Sequence, residues 1–92
     1  MKSYIYPKLL RAEMDPRFTS DTEARYNAVN AALRALDRET LVRQGLRRAR
    51  QKRAAGYEPF GVSLDNDSLR VLESLPTSTS RSALIQWILS RR

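Results

Sequence analysis

The sequence predicts a mainly α-helical fold with one short strand per chain, completed only when two copies pair. Phe60, Val62 and Leu64 alternate with Gly61 and Ser63, the period of a half-buried strand. Leu69, Leu72 and Leu75 then recur at helical spacing until Pro76 stops the pattern. After a Ser/Thr turn a second helix begins: Ser80 is a good N-cap, and Leu84, Trp87, Ile88 and Arg91 share one face with Ala83 and Ile85 beside it.

Taken in order, residues 1–19 read as a partly ordered arm, 20–56 as a helical region and 57–92 as the strand-helix-helix unit. In the arm, Tyr4-Ile5-Tyr6 before Pro7 suggests a short extended piece, residues 8–14 one or two helical turns, and Asp15-Pro16 a turn. Ser20 and Glu23 form a capping box, in which each side chain satisfies a free amide at the other end. The helix that follows carries a stripe of Tyr26, Val29, Leu33 and Leu36 between alanines.

After Leu36 the phase is lost, because Leu41, Val42, Leu46 and Ala49 would lie almost opposite that stripe. Asp37 can cap a new start, which predicts two helices, 21–36 and 38–55, with Gly56 as the left-handed C-cap of the second; one bent helix is the alternative. Gly45 would weaken the interior of that second helix by about 1 kcal/mol relative to alanine.

The C-terminal unit has too few apolar side chains to close a core alone, and a lone strand leaves a row of backbone donors and acceptors unpaired. A second copy would supply both, with Phe60, Val62, Leu64, Leu69, Leu72, Leu75, Leu84, Trp87 and Ile88 as the shared core. Trp87, between Leu84 and Ile88, reads as core before it reads as a stacking platform.

This arrangement resembles the ribbon-helix-helix family of DNA-binding proteins. The pieces that match are Gly61-Val62-Ser63-Leu64, Asp65 as cap, a helix over 68–75, the turn over 76–79, and Ser80-Arg81-Ser82-Ala83-Leu84-Ile85 opening the second helix, about the last third of the chain. The resemblance implies an intertwined homodimer whose two-stranded ribbon enters the DNA major groove. It also implies that Gly61 and Ser63 face base edges, and that Ser80, Arg81 and Ser82 clamp a phosphate at a helix N-terminus. Pro59, Gly61 and Ser63 depart from the family's long polar readers, so direct readout would be thin and the unit could be a dimerisation device only. Ser80 could equally be an ordinary N-cap.

Charge points the same way. Seventeen Lys plus Arg against ten Asp plus Glu give +7, which favours an anionic partner. Six cations and no acid fall within residues 43–56: Arg43, Arg47, Arg48, Arg50, Lys52 and Arg53. A solvated helix face is one reading of that run. Phosphate contact with counterion release is the one favoured here, since clustered cations without acids repel one another and lack helix ion pairs. A nuclear-localisation signal also fits the composition weakly.

Other classes find little support. There is no histidine and no cysteine, no Gly-rich phosphate loop and no serine beside an evident base, so an enzyme is not expected. Asp65-Asn66-Asp67 lacks the later ligands of a calcium loop, and no cofactor or metal is expected. Without cysteines or a long apolar run, the sequence suggests a soluble protein of a reducing, nucleoid-containing cytoplasm. The resulting expectation is a double-stranded DNA-binding repressor, or a plasmid or phage accessory factor of partition, transfer or antitoxin-like type. The alternatives are a protein-interaction adaptor or inhibitor using residues 1–56, and RNA binding through the Arg-rich helix.

Overall fold

The computed structural model describes residues 3–46 and 56–90. These form strands β1 (Ser3–Ile5) and β2 (Lys8–Leu10), a 3-10 turn (Arg11–Glu13), helices α1 (Pro16–Ser20), α2 (Thr22–Ala35) and α3 (Arg38–Gln44), strands β3 (Tyr57–Pro59) and β4 (Val62–Leu64), and helices α4 (Asn66–Glu73) and α5 (Arg81–Leu89). Among the described residues 58% are helical and 20% lie in strands or bridges, with two small antiparallel sheets, so the fold is mixed α/β, which corrects the mainly α expectation.

The expected arm is the missing half of the ribbon. β1 pairs β4 with Ser3 opposite Leu64, Tyr4 opposite Ser63 and Ile5 opposite Val62. β2 pairs β3 with Lys8 opposite Pro59, Leu9 opposite Glu58 and Leu10 opposite Tyr57. Both sheets keep one register, and the Phe60 amide donating to the Pro7 carbonyl at 3.0 Å carries it across the gap between them. Segments 3–10 and 57–64 are thus one antiparallel ribbon, interrupted where Pro7 has no amide to offer.

The outer edge of β4 is closed as well. In an extended strand, residues 61, 63 and 65 turn their peptide groups toward the same edge. On that edge the Asn30 carboxamide donates to the Ser63 carbonyl at 2.8 Å and accepts from the Asp65 amide at 3.0 Å. The Arg25 guanidinium donates through Nε to the Gly61 carbonyl at 3.1 Å and through Nη1 to the Phe18 carbonyl at 2.8 Å, and it lies over the rings of Phe60 and Tyr26. With β1 on one edge and α2 on the other, the strand has no edge left for a second copy. In this fold β4 therefore lacks the open edge that intertwined ribbon-helix-helix pairing uses, which corrects that part of the fold expectation.

The core residues expected at a dimer interface pack within one chain instead. Phe60, Val62, Leu64, Leu72, Leu84 and Ile88 are buried together with Leu9, Met14, Val29, Leu33, Leu41, Ile85 and Leu89, and Leu69, Leu75 and Trp87 pack against them, half-buried. Seven buried side chains that the C-terminal unit lacked, or that were not counted in it, complete its core.

Helix limits differ from expectation for local reasons. Asp21, not Ser20, caps α2 by accepting from the Ala24 amide, because Ser20 closes α1, capped in turn by Asp15 before Pro16. Asp37 caps α3 as expected, and hydrogen bonds from Thr40 hold its carboxyl below the usual carboxylate range, with a smaller pull from Arg43. Asp65 caps α4; its bond from the Ser68 amide and the neighbouring Arg34 lower its carboxyl likewise. The helix starting at Arg38 stops at Gln44. Gly45 lies against Thr79, so that a Cβ there would stand 2.6 Å from the Thr79 methyl carbon, and its carbonyl accepts from the Ser80 amide at 2.5 Å. Gly45 is therefore a close-approach residue and not a weak point inside a longer helix. Gly56 has the positive φ (103°) anticipated for it, and leads directly into β3; positions 47–55 of the anticipated helix lie outside the described residues.

Two outcomes follow from closure within one chain. The thermal midpoint stays constant over a hundredfold dilution, whereas a core shared between two chains would melt earlier on dilution. Asn30→Ala, which strands two backbone groups, lowers unfolding free energy by about 2–4 kcal/mol in urea titrations.

Candidate nucleic-acid interface

The expected base-reading side chains are not on the surface. Ser63 is 5% exposed, roofed by α2 through Asn30, and Gly61 is half-buried with a ring carbon of Tyr6 3.4 Å from where its Cβ would be. A base edge cannot reach Ser63 past α2, so the ribbon does not offer the reading face that the family resemblance implied.

A groove of about 480 Å³ lies elsewhere, where the ends of α3 and β2 meet β3 and the first turns of α5. β2 contributes Lys8 and β3 contributes Tyr57; Arg43 comes from the last turn of α3, followed by Leu46, which is 50% exposed. From α5 come Ser82, Ala83, Gln86 and Trp87, and Glu13 is an acid in the same lining.

Three sets of bonds set this geometry. Gln86 Oε1 accepts from the Leu10 amide at 2.6 Å and its Nε2 donates to the Leu10 carbonyl at 3.3 Å, so one side chain locks α5 onto the free edge of β2. Ser80 caps α5 by accepting from the Ala83 amide at 3.2 Å while its own amide binds Gly45, which ties the helix start to the end of α3. The Asp15 amide donates to the Leu89 carbonyl at 2.8 Å and anchors the far end of the helix.

Among the expected contact residues, Arg43 and Ser82 line this groove, whereas Ser80 is occupied as a cap. Arg81 is exposed, but it borders a separate hollow with Thr79 and Leu75. Arg47, Arg48, Arg50, Lys52 and Arg53 lie outside the described residues. Chain connectivity still ties them to the groove, because Leu46 and Tyr57 both line it.

Most cations of the folded body are already engaged. Arg11 donates to Glu58 at 2.5 and 3.2 Å, which raises its own pKa and holds the Glu58 carboxyl below its ordinary range. Arg17 pairs with Asp15 and Arg34 with Asp65, while Arg38 donates to the Ser74 carbonyl. Lys8 and Arg43 form no salt bridge among the described residues.

Lys8 and Tyr57, which line this groove, were not singled out in the sequence, and Trp87, read there as core, packs against the core while also lining the groove. The signal for Lys8 was the alternation of Tyr4, Tyr6 and Lys8 with Ile5, Pro7 and Leu9; no local pattern brings Tyr57 next to Trp87. Among the described residues, no cluster of acids could hold a metal ion and no helix is long and apolar enough to cross a membrane. Comparison with protein-family models, curated proteins and solved structures finds no match.

Replacing Gln86 with leucine leaves both Leu10 backbone groups unmet and releases α5 from β2. The expected loss is about 1–3 kcal/mol, read by thermal denaturation.

Proposed function

We propose that the protein binds double-stranded DNA through its phosphate backbone, with the Arg-rich run of residues 43–53 as the main contact, in regulatory or accessory service to a prokaryotic, phage or plasmid genome. One observation carries this reading. The described residues contain nine Lys plus Arg and ten Asp plus Glu, so the excess that makes the chain +7 belongs to the remaining positions, five of them cations between 47 and 53. A body whose charges balance has little attraction for a polyanion at large, and the run emerging beside Lys8 and Arg43 concentrates that attraction at one place.

With Ser63 buried, contacts of this kind distinguish sequences weakly; they draw their free energy from released counterions. Fluorescence anisotropy of a labelled duplex titrated at increasing salt gives the test. Affinity falls steeply with salt, and Arg47→Ala or Arg50→Ala each reduces the slope by about one unit with site preference unchanged. No binding, or binding indifferent to salt, overturns the reading. Tighter binding to a matched RNA duplex would move the assignment to RNA.

A further inference from the structure

We infer that the groove between Lys8, Arg43, Tyr57 and Trp87 receives one unpaired nucleotide of the bound DNA, its base against the aromatic wall and its phosphate toward the cations. The inference rests on the DNA-binding reading and goes beyond it, since backbone contact alone requires no concavity and no aromatic side chain. At about 480 Å³ the groove falls within the range of small-molecule sites. Its lining has the two chemistries that hold single-stranded nucleic acid together: the aromatic side chains of Trp87 and Tyr57 and the cations of Lys8 and Arg43.

The remaining groups fit the same occupant. Ser82 is a hydroxyl on the α5 wall, available as a neutral donor to a phosphate oxygen, and Glu13 can accept from the exocyclic amine of a cytosine or adenine. Gln86 is committed through both ends of its amide to Leu10, so it serves as a fixed wall and not as a reader. Position matters as much as composition, because the chain leaves for the Arg-rich run at Leu46 and returns at Tyr57, both on the groove. A duplex with stacked, paired bases cannot enter a site of this size, whereas a bulged or single-stranded nucleotide can.

Trp87 is the chain's one tryptophan, so its emission reports on the groove directly. The full chain is titrated at low salt with three DNA probes of equal length: an intact duplex, the same duplex with one bulged nucleotide, and the single strand. Label anisotropy measures binding and Trp87 emission measures occupancy. All three bind; the bulged duplex and the single strand quench Trp87 and the intact duplex does not, and the bulge improves affinity about tenfold, a typical gain for one stacked base. Trp87→Leu removes the bulge preference while leaving intact-duplex affinity within twofold. Because that substitution also touches the core, Lys8→Ala gives a second arm, weakening the bulged duplex more than the intact one. Binding of all three probes without quenching, or an equal loss for both duplexes in Lys8→Ala, overturns this inference alone. Failure of every probe to bind overturns the DNA-binding reading beneath it.

Discussion

The fold depends on the closing of strand edges by side-chain carboxamides. A two-stranded ribbon has two outer edges, each a row of peptide groups that needs partners once water is excluded. Asn30 on α2 meets the edge of β4, and Gln86 on α5 meets the edge of β2. Each uses the same device: an amide group presents one acceptor and two donors, which is what a neighbouring strand would present at that point. The ribbon is finished by helices, and a chain of this size can bury a core without a partner.

Arg25 extends the same device at a higher electrostatic cost. Its guanidinium is nearly buried and forms no salt bridge among the described residues; two carbonyls and two aromatic rings take that role. Isolated charges are expensive to desolvate, and a planar, weakly hydrated guanidinium is the cation best suited to such surroundings. The Gly61 carbonyl that it meets belongs to the residue facing Tyr6, at the point where the ribbon is interrupted. Arg25 therefore holds together the part of the ribbon whose own ladder is weakest.

Much of the C-terminal half was legible in the sequence, because each of its elements is announced by neighbours in the chain. Asp65 and Ser80 cap as their types and positions suggest, Pro76 follows the first helix, and the apolar side chains of 60–88 are core residues. The partner of the strand was not legible. Residues 3–10 alternate correctly, with Ile5, Pro7 and Leu9 inward and Tyr4, Tyr6 and Lys8 outward, but Pro7 reads as a breaker until it is seen that its missing amide falls at a gap in the ladder. Asn30 and Arg25 were hidden for a different reason. Polar residues on a helix stripe look like surface, and only the strand edge packed on them shows why they are buried. The same long-range pairing places Lys8 and Tyr57 beside Trp87, so the groove was as invisible as the ribbon that builds it.

The closing of those edges also decides where recognition can occur. A ribbon read through Ser63 must leave that residue bare, and here it is buried beside α2, where Asn30 and Arg25 satisfy the edge of β4. On the DNA-binding reading proposed above, the place left for a polyanion is the groove where α5 is held against β2 by Gln86, lined by Lys8 and Arg43. On that reading, charge would bring the ligand there without choosing among sequences. Selection would then have to come from shape, and the proposed groove would admit a nucleotide only after it had left the stack. A molecule built this way would discriminate by the state of the strand, paired or unpaired, more strongly than by the order of its bases.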